Sequence, residues 1–214
     1  YLYFYETAIN NIKKYLGDDV KIIIMLRNPV DRAYSAYSFA SRTMQENQSF
    51  ELAIENAFER YSADERLSPM ILYKELGNYT DMVKAYKESF SNVHVVLYDD
   101  FISNTEKEVL NVFDFLSLDI EKVNTKEVVN AGGKKWNSSI VKNILMGNNI
   151  VKGLFKNVFP RSFRFLIKET IKKIFISKAD VIDENTRKNL QLYYKDDIIE
   201  LEKVINKDLS SWKK

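Results

Sequence analysis

KIIIMLRNPVDRAYSAY, residues Lys21–Tyr37, decides how the rest of this 214-residue chain is read. Val20–Leu26 is a short apolar run rich in β-branched residues, without the polar alternation of a half-solvated strand. Such a run predicts a strand buried on both faces, as in a parallel sheet covered by helices. Asn28-Pro29 then ends the strand. Proline suits the first turn of a helix, where its fixed φ is already correct and its missing N–H would have no partner anyway. The predicted helix runs to about Ser41, with Val30, Ala33, Tyr34, Tyr37 and Ala40 on one side.

Arg27 stands where that strand ends, and ligands of open parallel sheets bind outside the carboxyl ends of strands. A buried, unpaired guanidinium costs several kcal/mol. The donor fork of Arg27 instead suits an anion gripped bidentately. Ser35 lies about two turns into the helix. A helix folded back beside the strand would bring its hydroxyl to the same phosphate. Arg32 is a further candidate for the same phosphate, although a solvent face is the expected place for it. The plain alternative is a turn in which Arg27 pairs with a carboxylate such as Asp31.

Working outward, Tyr5–Leu16 has helical spacing and Gly17 is a natural C-cap. Further helices are expected over Ser49–Tyr61, Tyr79–Phe90, Thr105–Leu116 and Asp183–Asn206, the last with Asp183 as N-cap. Ser62–Met70 and Asn130–Ser139 read as polar loops, and Ile140–Ile176 mixes apolar and basic residues at helical spacing. Val93–Tyr98 is a second strand. Strand, helices, strand and helix predict an α/β fold with a parallel sheet flanked by helices, followed by a helical C-terminal part. The division falls near Asp119, giving a nucleotide-binding α/β part over 1–119 and a mostly helical part over 120–214. Two strands are too few for a stable sheet, and the chain begins at Tyr1 without a methionine. It therefore reads as a partial domain whose other strands lie upstream.

Composition narrows the function classes. With 32 basic against 30 acidic residues, the net charge of +2 argues against a general nucleic-acid binder. The absence of cysteine excludes disulfides, thiolate metal sites and a cysteine nucleophile, and fits a cytoplasmic protein. No apolar run approaches the roughly 20 residues of a membrane span. No His/Cys cluster suggests a metal.

Lys21–Tyr37 resembles the motif by which sulfotransferases hold the 3′-phosphate of 3′-phosphoadenosine 5′-phosphosulfate (PAPS), and the resemblance extends over most of the chain. Tyr1-Leu2 ahead of a helix is similar to the family's approach to that motif. Leu76–Tyr79 resembles its Gly-x-Tyr before a helix, and Val95–Phe101 its strand ending in Tyr-Glu-Asp-Leu. Phe113–Leu118 is similar to its Phe-Leu-Gly-Leu helix end, and Leu209–Trp212 to the close of many bacterial-type members. The family is related to glycan sulfotransferases and has a P-loop-NTPase-like sheet.

The resemblance implies that PAPS is the co-substrate and that Arg27 and Ser35 bind its 3′-phosphate. It implies an adenine contact for Tyr98, against which stands a core tyrosine beside the sheet. Gly132–Trp136 resembles the basic loop over the nucleotide without its usual order, so Lys134 and Lys135 are the weaker members of the set. The implied reaction transfers a sulfuryl group to a hydroxyl or amine on a small molecule or glycan. The loop that cradles the 5′-phosphosulfate has no counterpart before Lys21, and no catalytic residue is identified. His94, the single histidine, lies at the wrong end of its strand, roughly 13 Å from the carboxyl end. The aromatic and basic stretch Phe155–Lys173 reads as a packed helix ahead of a membrane-surface or acceptor-binding one. Two other readings stay open: a non-catalytic domain of the same fold, and another phosphate-transfer enzyme such as a nucleotide kinase.

Overall fold

The computed structural model describes residues 2–64, 66–119, 134–138, 141, 160, 170–171, 174–178 and 181–213. They fall into two units, each discontinuous in sequence: Tyr1–Ala33 with Leu72–Asn130 and Asp183–Lys214, and Tyr34–Ile71 with Ala131–Ile182.

The first unit is built on two parallel strands. β1 (Lys21–Leu26) pairs with β2 (Asn92–Leu97) in a register running from Lys21 opposite Asn92 to Leu26 opposite Leu97. Ile24 and Leu26 are buried, whereas Ile23 and Met25 are 41% and 51% exposed. The expected burial of β1 on both faces therefore holds for one face only. Side chains two residues apart share a face, and the face of β1 carrying positions 21, 23 and 25 is its exposed one. In β2, Val95, Val96 and Leu97 are all buried.

Helices flank this pair as expected. α1 (Tyr5–Leu16) buries Ala8 and Ile9 and ends at Gly17, whose φ of 87° is accessible to glycine at little cost. α2 (Pro29–Arg42) is separated from β1 by two residues, Arg27 and Asn28. Its entry is an Asx turn in which Asn28 Oδ1 accepts from the Val30 N–H at 3.0 Å. Later come α5 (Thr80–Ser89), the short α6 (Tyr98–Ser103) and α7 (Thr105–Leu116). In α7, Asn104 accepts from the Lys107 N–H at the start. The terminal α8 (Glu184–Ile205) is capped by Asp183, which accepts from the Thr186 N–H at 3.0 Å. Its stripe Leu190, Tyr194, Ile198, Leu201 and Ile205 is buried at intervals of three or four, and α8 packs on α5. Each such aliphatic side chain contributes about 1.5–3 kcal/mol on burial. Leu209 and Trp212, around the 3₁₀ turn Ser210–Lys213, are also buried.

The second unit takes up α2 from Tyr34 onward. The rings of Tyr34 and Tyr37 each meet Phe50 at 5.1 Å. The single helix expected over Ser49–Tyr61 is two, α3 (Phe50–Glu55) and α4 (Ala57–Ala63). Asn56 stands between them at φ −96°, ψ 1°, off the helical well. Its side chain favours turns and caps over helix interiors. Within the expected loop Asn130–Ser139, β3 (Lys134–Trp136) pairs antiparallel with β4 (Ile176–Lys178), a pairing that no local pattern announces. Asn130–Gly133, most of Ile140–Ile176 and nearly all of Phe155–Lys173 lie outside the described residues. Among the described residues, no helix is long and apolar enough to cross a membrane.

Candidate phosphate-binding site

The parallel register brings the residues that matter to one level. Leu26 is opposite Leu97, so Arg27 and Tyr98 are the next residue of each strand at its carboxyl end. Arg27 Cζ lies 4.8 Å from the centroid of the Tyr98 ring. Such a cation–π contact contributes about 0.5–1 kcal/mol at a partly exposed site. It uses none of the five N–H donors of the guanidinium, and among the described residues none of them meets a carboxylate.

Arg27 is half-buried and makes no ion pair among the described residues. Its expected alternative partner is engaged elsewhere, because Asp31 pairs with Arg187 of α8 at 2.8 Å. Arg32 departs from expectation. Rather than facing solvent it is half-buried, and its guanidinium donates to the Tyr73 carbonyl.

The backbone under Arg27 is fixed from two sides. Asn28, directly after it, is buried and caps α2 through Val30 and through the Arg32 N–H at 2.9 Å. The Tyr79 hydroxyl donates to the Arg27 carbonyl at 3.1 Å. Burial pushes the Tyr79 phenol up to about 12, so it stays a donor through neutral pH. On the other strand, Asp99 follows Tyr98 and accepts from Trp212 Nε1 at 2.8 Å, a structural role, while Asp100 is exposed.

Each of the other candidates sits in its own element. Ser35 is half-buried on α2. Lys135 is in β3, with its backbone opposite Ser177. His94 is opposite Ile23 in the amino half of the sheet. Its ring stacks on Phe115 at 5.1 Å, and burial holds its pKa below the ordinary histidine value. No cluster of potential metal ligands occurs among the described residues.

Sequence reasoning brought out Arg27 and Tyr98 but assigned no role to Tyr79 or Trp212. Both occur in stretches that carry the family resemblance. Their partners lie 52 and 113 residues away, a pairing that no local spacing encodes.

Chemically, the strand end offers a guanidinium with no ion-pair partner among the described residues, an aromatic face and a backbone held by hydrogen bonds. The residues present fit a phosphate ester on an aromatic base. Comparison with solved structures gives a match to a sulfotransferase from Alicyclobacillus acidocaldarius with a TM-score of 0.68 and 24% sequence identity. The match covers 100% of this chain and 65% of that one, so this chain spans about two thirds of its relative's length. A comparison with curated proteins found no match. The family model of the sulfotransferase domain matches residues 7–175. That span includes β1, α2, β2 and the Arg27–Tyr98 pair, and the chain belongs to the sulfotransferase domain family.

Proposed function

We propose that this chain binds PAPS at the carboxyl end of β1 and β2, as part of an enzyme that transfers the sulfuryl group to a hydroxyl or amine acceptor. The observation that carries this reading is Arg27, held over Tyr98 with no carboxylate partner among the described residues. A guanidinium so placed is matched to a dianionic phosphate rather than to the protein itself.

In the proposed reaction the acceptor oxygen or nitrogen attacks sulfur. The bond from sulfur to the 5′-phosphate oxygen breaks, and adenosine 3′,5′-bisphosphate departs with the electron pair. A base takes the acceptor proton. Arg27 acts on the far side of the nucleotide from this chemistry. Its grip on the 3′-phosphate supplies binding energy that orients the reacting end. Ser35 joins it as a second 3′-phosphate ligand on the strength of the motif alone. Tyr98 shares its ring between Arg27 and the adenine. Lys135 enters on the resemblance of its loop alone. The family resemblance favours a small molecule or a glycan as acceptor.

The test supplies the protein with either of two labelled donors and a panel of hydroxylated and amino acceptors. Label moves from PAPS and not from the γ-phosphate of ATP if the reading is correct. Phosphoryl transfer from ATP would overturn it in favour of a kinase. Failure to bind PAPS or its bisphosphate product would favour a non-catalytic domain.

A further inference from the structure

Arg27 directly follows β1, just past the end of the ladder, whose last paired residues are Leu26 and Leu97. The carbonyl of Arg27 therefore needs a partner from outside the sheet, since a buried main-chain acceptor left alone costs free energy comparable to a lost hydrogen bond. Tyr79 provides it through its hydroxyl at 3.1 Å.

Tyr79 is itself held tightly. It is 3% exposed, and its ring lies 6.3 Å from that of Trp212. Asp197 of α8 grips the start of α5 around it. Asp197 Oδ2 accepts from the Tyr79 N–H at 2.9 Å, and Oδ1 from the Thr80 N–H at 3.1 Å. The Thr80 hydroxyl donates to the Asp197 carbonyl at 2.9 Å. A hydrogen-bonded relay thus runs from the terminal helix through Tyr79 to the backbone that carries the candidate phosphate ligand.

We infer that Tyr79 is a positioning residue for Arg27, and that Asp197 anchors it so that the Arg27 guanidinium stays aimed at the 3′-phosphate. This rests on the reading of Arg27 as the 3′-phosphate ligand. Without the hydroxyl, the carbonyl is free to rotate and the side chain on the same residue loses its fixed origin.

Tyr194 provides a matched control. It is also buried, and its hydroxyl also donates to a main-chain carbonyl, that of Lys74 at 2.7 Å. Tyr79→Phe and Tyr194→Phe therefore remove the same kind of bond while keeping the ring. Binding of adenosine 3′,5′-bisphosphate is measured by calorimetry on both variants and the wild type, with thermal unfolding on the same samples. Both variants are expected to melt a few degrees lower. Only Tyr79→Phe should bind the bisphosphate more weakly, by about tenfold, the size of one net hydrogen bond.

Wild-type-like affinity in Tyr79→Phe, or an equal loss in both variants, overturns the inference and leaves the reading of Arg27 standing. Failure of the wild type to bind the bisphosphate overturns the reading, and the inference with it.

Discussion

Glu46 is a carboxylate with no exposed side-chain surface. Burial pushes its pKa up, but the Arg60 guanidinium at 2.9 Å and the N–H groups of Gln48 and Asn47 outweigh this and hold it below the usual range. A carboxylate whose folded pKa is depressed adds stability above its unfolded pKa, and that stability is lost as pH falls through the folded value. Stability should therefore decline below roughly pH 4, and less steeply in Glu46→Gln. Removing one partner of a buried pair is costly, so Glu46→Ala should lose about 2–4 kcal/mol in urea unfolding. A loss under about 0.5 kcal/mol, the range of ordinary surface changes, would count against the burial described. Gly77 is a second case. A Cβ added there would meet the Tyr194 hydroxyl at 2.7 Å and its ring at 2.8 Å. Overpacking of this kind costs about 1–3 kcal/mol, and Gly77→Ala should show it as a lowered midpoint at unchanged slope. Neither effect is legible in the sequence, because each depends on a partner that only packing brings up, Arg60 for Glu46 and Tyr194 for Gly77.

Elements with strong periodicity and a chemical stop were legible to within a residue or two. α7 runs over Thr105–Leu116 as its apolar spacing requires, and α8 starts at the Asp183 cap. β1 and β2 were legible from their β-branched runs. The break at Asn56 and the β3–β4 pair were not, since one depends on a single backbone conformation and the other on partners about 40 residues apart. Of the candidate site, Arg27 and Tyr98 were legible as strand ends, but their mutual contact depends on register, which only the paired strands fix. The buried stripe of α8 makes its own prediction. Leu201, fully buried, should cost about 2–5 kcal/mol when replaced by alanine. Leu192 on the same helix is 71% exposed, and Leu192→Ala should stay within about 0.5 kcal/mol. Equal effects on thermal unfolding would contradict the assigned face.

At the scale of the molecule, the chain carries nearly balanced charge and yet sets at the end of its parallel strands a cation, Arg27, that has no carboxylate partner among the described residues. Such a cation is useful for a ligand and of little use for stability. The central claim is thus that Arg27 discriminates a nucleotide with a 3′-phosphate from one without. Calorimetry with adenosine 3′,5′-bisphosphate and adenosine 5′-monophosphate, on wild type and Arg27→Ala, measures this directly. A charge-assisted contact contributes about 1.5–3 kcal/mol. The wild type should therefore prefer the bisphosphate, and Arg27→Ala should bind it roughly 10- to 100-fold more weakly with the preference gone. A bisphosphate preference that survives intact in Arg27→Ala would contradict the account.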